Sequence, residues 1–292
     1  MAALPGPATP TRTLTLSSGG ETLHAEWFAP TGSPRGVAVM VHGYAEHIGR
    51  YREVANVLAA DGWGVLGYDQ RGHGRSTGKR GALDRFTDYL DELDVARRQA
   101  RALADDAKLP AHDVLLGHSN GGLIVLRALT DPARAPAVDA AVITSPFLGL
   151  RLPVSPARKL LAKIASRLAP AFAQPNQLKV TDLTHDPDKQ RERTNDTLCH
   201  SVATARWFTE AMAAQDFVAG NLARIKVPTL WLIGADDAIA DAARTKQLAE
   251  HLPGATYHHL AGMCHEVLNE LDRAKVYDLM VSYLREPKAK AA

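Results

Sequence analysis

Residues 13–17 and 22–28 alternate apolar and polar side chains around Ser18-Gly19-Gly20, the pattern of a β-hairpin. The period then changes. Val37-Ala38-Val39-Met40-Val41 is a continuous apolar run ending at His42-Gly43, which predicts a strand buried on both faces. Helical spacing follows over 52–60, with Val54, Val57 and Leu58 on one face and Asp61-Gly62 as the stop. Residues 63–68 predict the next strand. Phe86, Leu90, Leu93, Ala100, Leu103 and Ala107 form one stripe of a long amphipathic helix that Pro110 closes. Beyond it the pattern predicts strands over 114–116, 140–144, 229–233 and 256–260, and helices over 121–129, 242–252 and 271–284. Strands alternating with helices at these lengths predict an α/β fold, a mostly parallel sheet flanked by helices.

Between Phe147 and Asn221 the pattern is different. Strand signals vanish, Pro153, Pro156, Pro170, Pro175 and Pro187 accumulate, and helical spacing dominates. The expected organisation is a discontinuous catalytic core, residues 1–146 and 222–292, with a helical cap or lid inserted at 147–221.

Composition narrows the class without naming it. The chain has 292 residues, 46% of them hydrophobic and 23% charged, which excludes a disordered tail or a collagen-like repeat. A net charge of +2 gives no sign of a nucleic-acid partner. Cys199 and Cys264 stand far apart, so each is expected as a small buried side chain in a reducing compartment. Pro5, Pro7 and Pro10 interrupt the apolar stretch that a signal peptide needs, and no run reaches the length of a membrane helix. A cytoplasmic protein is expected.

Gly117-His118-Ser119-Asn120-Gly121 fits G-x-S-x-G and lies between a predicted strand and a predicted helix. A serine on such a turn presents its hydroxyl at the top of the sheet, and the flanking glycines let strand and helix pack closely. Serine needs a base within hydrogen-bond reach, itself oriented by a carboxylate, and on this kind of sheet the chain order is serine, acid, histidine. The strand at 229–233 runs into Gly234-Ala235-Asp236-Asp237, and the last strand leads to Gly262-Met263-Cys264-His265. His265 is therefore the expected base. Asp237 is preferred as acid over Asp236, with Asp241 third, although position alone separates them poorly. His258 and His259 fall within a strand, and His118 is locked in the turn. The oxyanion of acyl transfer needs backbone donors. Asn120, after the nucleophile, and the His42-Gly43-Tyr44 loop are the candidates.

Other chemistries lose support. His265-Glu266-Val267-Leu268-Asn269 begins like a zinc-protease motif but has asparagine at the second ligand. Gly78-Lys79 lacks the glycine and the serine or threonine of a phosphate loop, and no G-x-G-x-x-G follows the first parallel strand. Neither a metal nor a cofactor is expected. The basic stretch Arg71, Arg75, Lys79 and Arg80 reads as a glycine-rich turn whose arginines pair locally.

Val41-His42-Gly43-Tyr44-Ala45-Glu46-His47 with Gly49-Arg50-Tyr51 resembles the oxyanion loop of monoacylglycerol lipases and related lysophospholipases, hydrolases of the serine aminopeptidase S33 type. Tyr68-Asp69-Gln70-Arg71-Gly72-His73-Gly74-Arg75-Ser76, the block 117–122 and the histidine loop 262–270 resemble further signatures of that family. The blocks occur in order and span the chain outside the insertion. The resemblance implies an α/β-hydrolase with Ser119 as nucleophile, Asp237 as acid, His265 as base, and Tyr44 and Asn120 as oxyanion donors. The chain departs from the family at Asn120, where methionine is common, and at Tyr44, where alanine or leucine is frequent.

Residues 147–181 carry Arg151, Arg158, Lys159, Lys163, Arg167 and Lys179 and no acid. Leu160, Leu161, Ile164 and Leu168 make an apolar stripe opposite Lys159, Lys163 and Arg167. Such a helix either lies on an anionic membrane surface or packs its stripe on the core with its lysines in water. The resemblance implies a lid over an acyl pocket, for which Phe147, Leu160, Ile164, Phe172, Trp207 and Phe208 are candidate lining residues. The expected activity is hydrolysis of carboxylic esters, foremost monoacylglycerols or similar lipid esters. Lysophospholipids or simple short-chain esters are the alternative substrates, and a ligand-binding receptor with little turnover is the alternative of another class.

Overall fold

Gly19 and Gly20, both with positive φ, close the first hairpin, and β1 (Arg12–Ser18) pairs antiparallel with β2 (Glu21–Phe28), Ser18 facing Glu21. The computed structural model describes residues 6–152 and 154–286. After the hairpin come β3 (Gly36–Val41), α1 (Arg52–Ala60), β4 (Trp63–Tyr68), α2 (Thr87–Asp106), β5 (Asp113–His118), α3 (Asn120–Leu129) and β6 (Ala140–Thr144). The chain then forms α4 (Pro156–Leu168), β7 (Ala173–Pro175), α5 (Pro187–Asn195), β8 (Val202–Thr204) and α6 (Ala205–Asn221). It returns to the sheet through β9 (Thr229–Gly234), α7 (Ala242–Glu250), β10 (Ala255–Leu260) and α8 (Arg273–Arg285).

Eight strands form one sheet in the order β1-β2-β4-β3-β5-β6-β9-β10, parallel from β4 onward. The continuous apolar runs follow from that topology, because each central strand feeds two cores. Val37, Val39, Val41, Leu115, Ile143 and Trp231 face the helices α2, α3 and α6. Ala38, Met40, Leu116, Val142, Leu230 and Leu232 face α1 and α8 on the other side. The chain has an α/β-hydrolase architecture, and the loops that carry its candidate chemistry leave the carboxyl ends of β3, β5, β9 and β10. No helix among the described residues is long and apolar enough to cross a membrane.

Two expectations need correction here. The segment between β6 and β9 is not free of strands, since β7 and β8 pair antiparallel. Each has three residues, too few for a period to show, and Pro175 ends one of them. Cys264 is buried as expected, but Cys199 is only half-buried; both thiols are free.

Candidate active site

Ser119 sits at the turn between β5 and α3 with φ 51° and ψ −114°, a sparsely populated conformation for a residue with a side chain. The turn is tight enough that a Cβ on Gly121 would meet the Val41 carbonyl oxygen at 2.1 Å, and one on Gly117 the Gly121 oxygen at 2.5 Å. Small residues at both positions let α3 start directly above β3 and β5, which lifts the Ser119 hydroxyl out of the sheet.

His265 reaches that hydroxyl from the loop after β10. Its Nε2 lies 2.8 Å from Ser119 Oγ and its Nδ1 2.7 Å from Asp237 Oδ2. Asp237 is fully buried at the carboxyl end of β9, where the N–H groups of Ile239 and Ala240 each donate to its Oδ1 at 2.8 Å. Burial alone would raise its pKa, but the charge and hydrogen bond of His265 and those two N–H groups hold it below the ordinary aspartate value. For His265 burial works against the imidazolium and is outweighed by Asp237, Glu266 and Glu46, so its pKa is raised. Asp236 is exposed, and Asp241 caps α7 through the Arg244 N–H, so neither competes for the imidazole. His118 turns away from its neighbour's hydroxyl to Thr144 Oγ1, 3.0 Å from its Nδ1. Burial and the nearby His265 push its pKa down to about 4.

The loop after β3 closes over the same spot. A Cβ on Gly43 would lie 3.3 Å from Ser119 Cβ, so the His42–Tyr44 backbone runs against the serine. Asn120 opens α3, and its N–H has no acceptor within the helix. A buried network fixes both segments. The Gln70 N–H donates to His42 Nε2, which leaves the proton on Nδ1 to be donated to the Gly43 carbonyl at 2.7 Å. Gln70 also donates to the His42 carbonyl and accepts from Asn120 Nδ2.

Beneath these loops Arg50 joins two buried acids. It donates to Glu46 at 2.6 Å and to both oxygens of Glu266 at 2.7 Å. Glu46 also accepts from the Gly43 N–H and the Tyr51 hydroxyl, each at 2.7 Å. Burial opposes ionisation of both acids, yet the Arg50 charge holds both pKa values below the ordinary glutamate value. This clamp ties the β3 loop to the histidine loop.

Above Ser119 opens a cavity of about 540 Å³. Glu46, His118, Glu266, Arg158 and Arg193 are among its polar lining residues, while Phe147, Leu161, Leu178, Trp207 and Phe208 make much of the rest apolar. Tyr44 stacks on Trp207 with ring centroids 3.7 Å apart and donates to the Val202 carbonyl in β8 at 3.0 Å.

The profile of the family described as serine aminopeptidase, S33 matches residues 32–272. The chain belongs to this family. Among curated relatives, a monoacylglycerol lipase of Mycolicibacterium smegmatis is 31% identical, over 91% of this chain and 94% of its own length. Phospholipase YtpA of Bacillus subtilis is 29% identical, over 86% and 95%. The crystal structure of a monoacylglycerol lipase from Paleococcus ferrophilus superposes with a TM-score of 0.79 at 27% identity, covering 90% of this chain and 98% of that one.

In this S33-family chain the structure brings Ser119, Asp237 and His265 into one hydrogen-bonded line, with Tyr44 in the cavity lining and Asn120 at the start of α3 directly after Ser119. Phe147, Phe172, Trp207 and Phe208 line the cavity as expected. Leu160 and Ile164 do not. Arg158, Leu161, Ala162 and Ala165 are the α4 residues that line the cavity, with Leu161 itself 65% exposed, whereas Leu160 and Ile164 stay outside it at 60% and 47% exposure. The stripe is therefore not packed on the core. Arg71 binds Glu92 and Asp88, and Arg80 donates to the Gly72 and Gly74 carbonyls, so these two arginines of the basic turn do pair locally. Glu46, Arg50, Glu266 and Gln70 are site residues that the sequence reading passed over, although all lie within the quoted family blocks. Two groupings, His47 with Asp196 and Cys199, and His185 with Cys264 and Glu270, have donor atoms close enough to hold a metal ion. Neither includes Ser119, Asp237 or His265.

Proposed function

We propose that the protein hydrolyses carboxylic esters of lipids, foremost monoacylglycerols, through an acyl-enzyme on Ser119. The observation that carries this reading is the Ser119–His265–Asp237 line, at 2.8 and 2.7 Å, opening into a largely apolar cavity. Ser119 attacks the ester carbonyl while His265 Nε2 takes its proton. Asp237 holds the proton on Nδ1 and stabilises the imidazolium. The Tyr44 and Asn120 N–H groups receive the oxyanion. His265 then protonates the leaving alcohol, and water repeats the sequence on the acyl-enzyme. Relatives named monoacylglycerol lipase support the choice of ester.

We further propose that residues 147–221 act as a lid and meet a membrane surface. Leu160, Ile164 and Leu168 are exposed on α4 beside Lys159, Lys163 and Arg167, an arrangement suited to an anionic interface. Leu161 and Phe172 are exposed and also line the cavity, which gives a lipid an apolar route inward. A cytoplasmic setting accords with the two free thiols.

The test is a substrate panel of 1-oleoylglycerol, oleoyl-lysophosphatidylcholine and a short-chain nitrophenyl ester, with wild type and Ser119→Ala. The wild type is expected to turn over the monoacylglycerol fastest, and Ser119→Ala to lose about a millionfold in kcat. Stoichiometric acylation without release would favour a receptor, and activity surviving in Ser119→Ala would remove that residue as nucleophile.

A further inference from the structure

Arg193, in the last turn of α5, lines the cavity above Ser119. Its Nη1 is buried and has no hydrogen-bond partner among the described residues. The acids nearby are engaged elsewhere. Glu46 and Glu266 share Arg50, Asp196 takes His47, and Asp237 takes His265. A guanidinium nitrogen withdrawn from water without an acceptor is costly, and its persistence in a cavity wall points to an acceptor that arrives with the ligand.

The position of Arg193 indicates which part of the ligand it meets. Three residues beyond Arg193, Asp196 pairs with His47 at 2.6 Å, and His47 is the chain neighbour of Glu46, which holds Arg50 at 2.6 Å, so this end of α5 is tied to the loop that carries the Arg50–Glu46 pair. Leu161, Ala162 and Ala165 of α4 and Trp207 and Phe208 of α6 give the cavity apolar walls that suit the acyl chain. The alcohol portion of the ester is left for the polar lining residues. Arginine offers a planar fork of donors that matches the oxygens of a phosphate or carboxylate.

We propose that Arg193 binds an anionic group on the alcohol portion of the substrate, so that the site accepts monoacylglycerols bearing a terminal phosphate monoester as well as the neutral ester. This inference rests on the ester-hydrolase reading and names the substrate class within it. The carboxylate of the fatty-acid product shares the same oxyanion chemistry, and the experiment separates the two.

Wild type, Arg193→Gln and Arg193→Lys are compared on 1-oleoylglycerol and 1-oleoylglycerol 3-phosphate in matched mixed micelles. The ratio of kcat/KM, phosphate ester over neutral ester, is expected to fall about tenfold or more in Arg193→Gln and to recover partly in Arg193→Lys. A ratio unchanged within about twofold overturns the proposal. So does Arg193→Gln weakening inhibition by oleate while the ratio holds, which would assign the arginine to the product. Calorimetric titration of 1-oleoylglycerol 3-phosphate into Ser119→Ala, with and without Arg193→Gln, reads the site without turnover. A Kd raised about tenfold there, together with a wild type that hydrolyses neither ester, would keep the anion site and reject the hydrolase reading; an unchanged Kd rejects the site. No residue of α5 is buried, so replacing this side chain leaves the fold a stable reference.

Discussion

Asp237 and His265 have shifted in opposite directions for one reason, since each stabilises the charged form of the other. In the proposed mechanism His265 must be neutral to take a proton from Ser119, and its raised pKa predicts that kcat/KM falls on acidification at a midpoint above the ordinary imidazole value of 6.5. Asp237→Asn removes the largest influence raising that value. The acidic limb of the pH–rate profile is expected to move to lower pH while kcat drops about ten-thousandfold. An unmoved limb would assign the titration to another group. Stability runs the other way. The raised His265 pKa contributes stability that is complete below about 6.5 and lost as pH rises through the folded value, whereas Asp237 contributes above about 3.8 and loses its share on acidification. The protonated imidazole that favours folding is thus the one that cannot act as base. At this scale the sequence was informative where chain order and motif coincide, at Ser119 and His265. It separated Asp237 from Asp236 poorly because burial, which distinguishes them, is a property of the folded loop.

The loops after β3 and β10 come from distant parts of the chain and are held together by one guanidinium. Arg50 and Glu266 stand 216 residues apart, so no local pattern could pair them. Arg50→Met would leave two buried carboxylates without their cation, at a cost of about 3–5 kcal/mol in urea unfolding. A loss below about 1 kcal/mol would mean that the acids are neutralised some other way. Most elements were legible because their periods persist over two or more turns or over a full strand. α1, β4 and β6 match the expected bounds. β7 and β8 were too short to register. In α4 the period identified a helix and a stripe but not the direction in which the stripe faces. That direction is decided by what α6, packed beside it, leaves open.

Over the whole molecule, a net charge of +2 conceals a basic, apolar exposed face on α4, the helix that also contributes Leu161 to the cavity. Each basic side chain near an anionic membrane is worth about 1 kcal/mol. Replacing Lys159, Lys163 and Arg167 together with glutamine is therefore expected to lower sedimentation with phosphatidylglycerol vesicles about a hundredfold and to leave phosphatidylcholine unaffected. Equal binding before and after would remove the electrostatic part of the membrane proposal. The segment that forms this face also reaches the chemistry, through Tyr44. The residue whose backbone is the proposed oxyanion donor has its ring stacked on Trp207 and its hydroxyl on the Val202 carbonyl. A longer acyl chain that repacks α6 or β8 therefore also re-aims that N–H. Contacts many atoms from the ester bond then reach the transition state itself, and chain length registers in kcat as well as in KM.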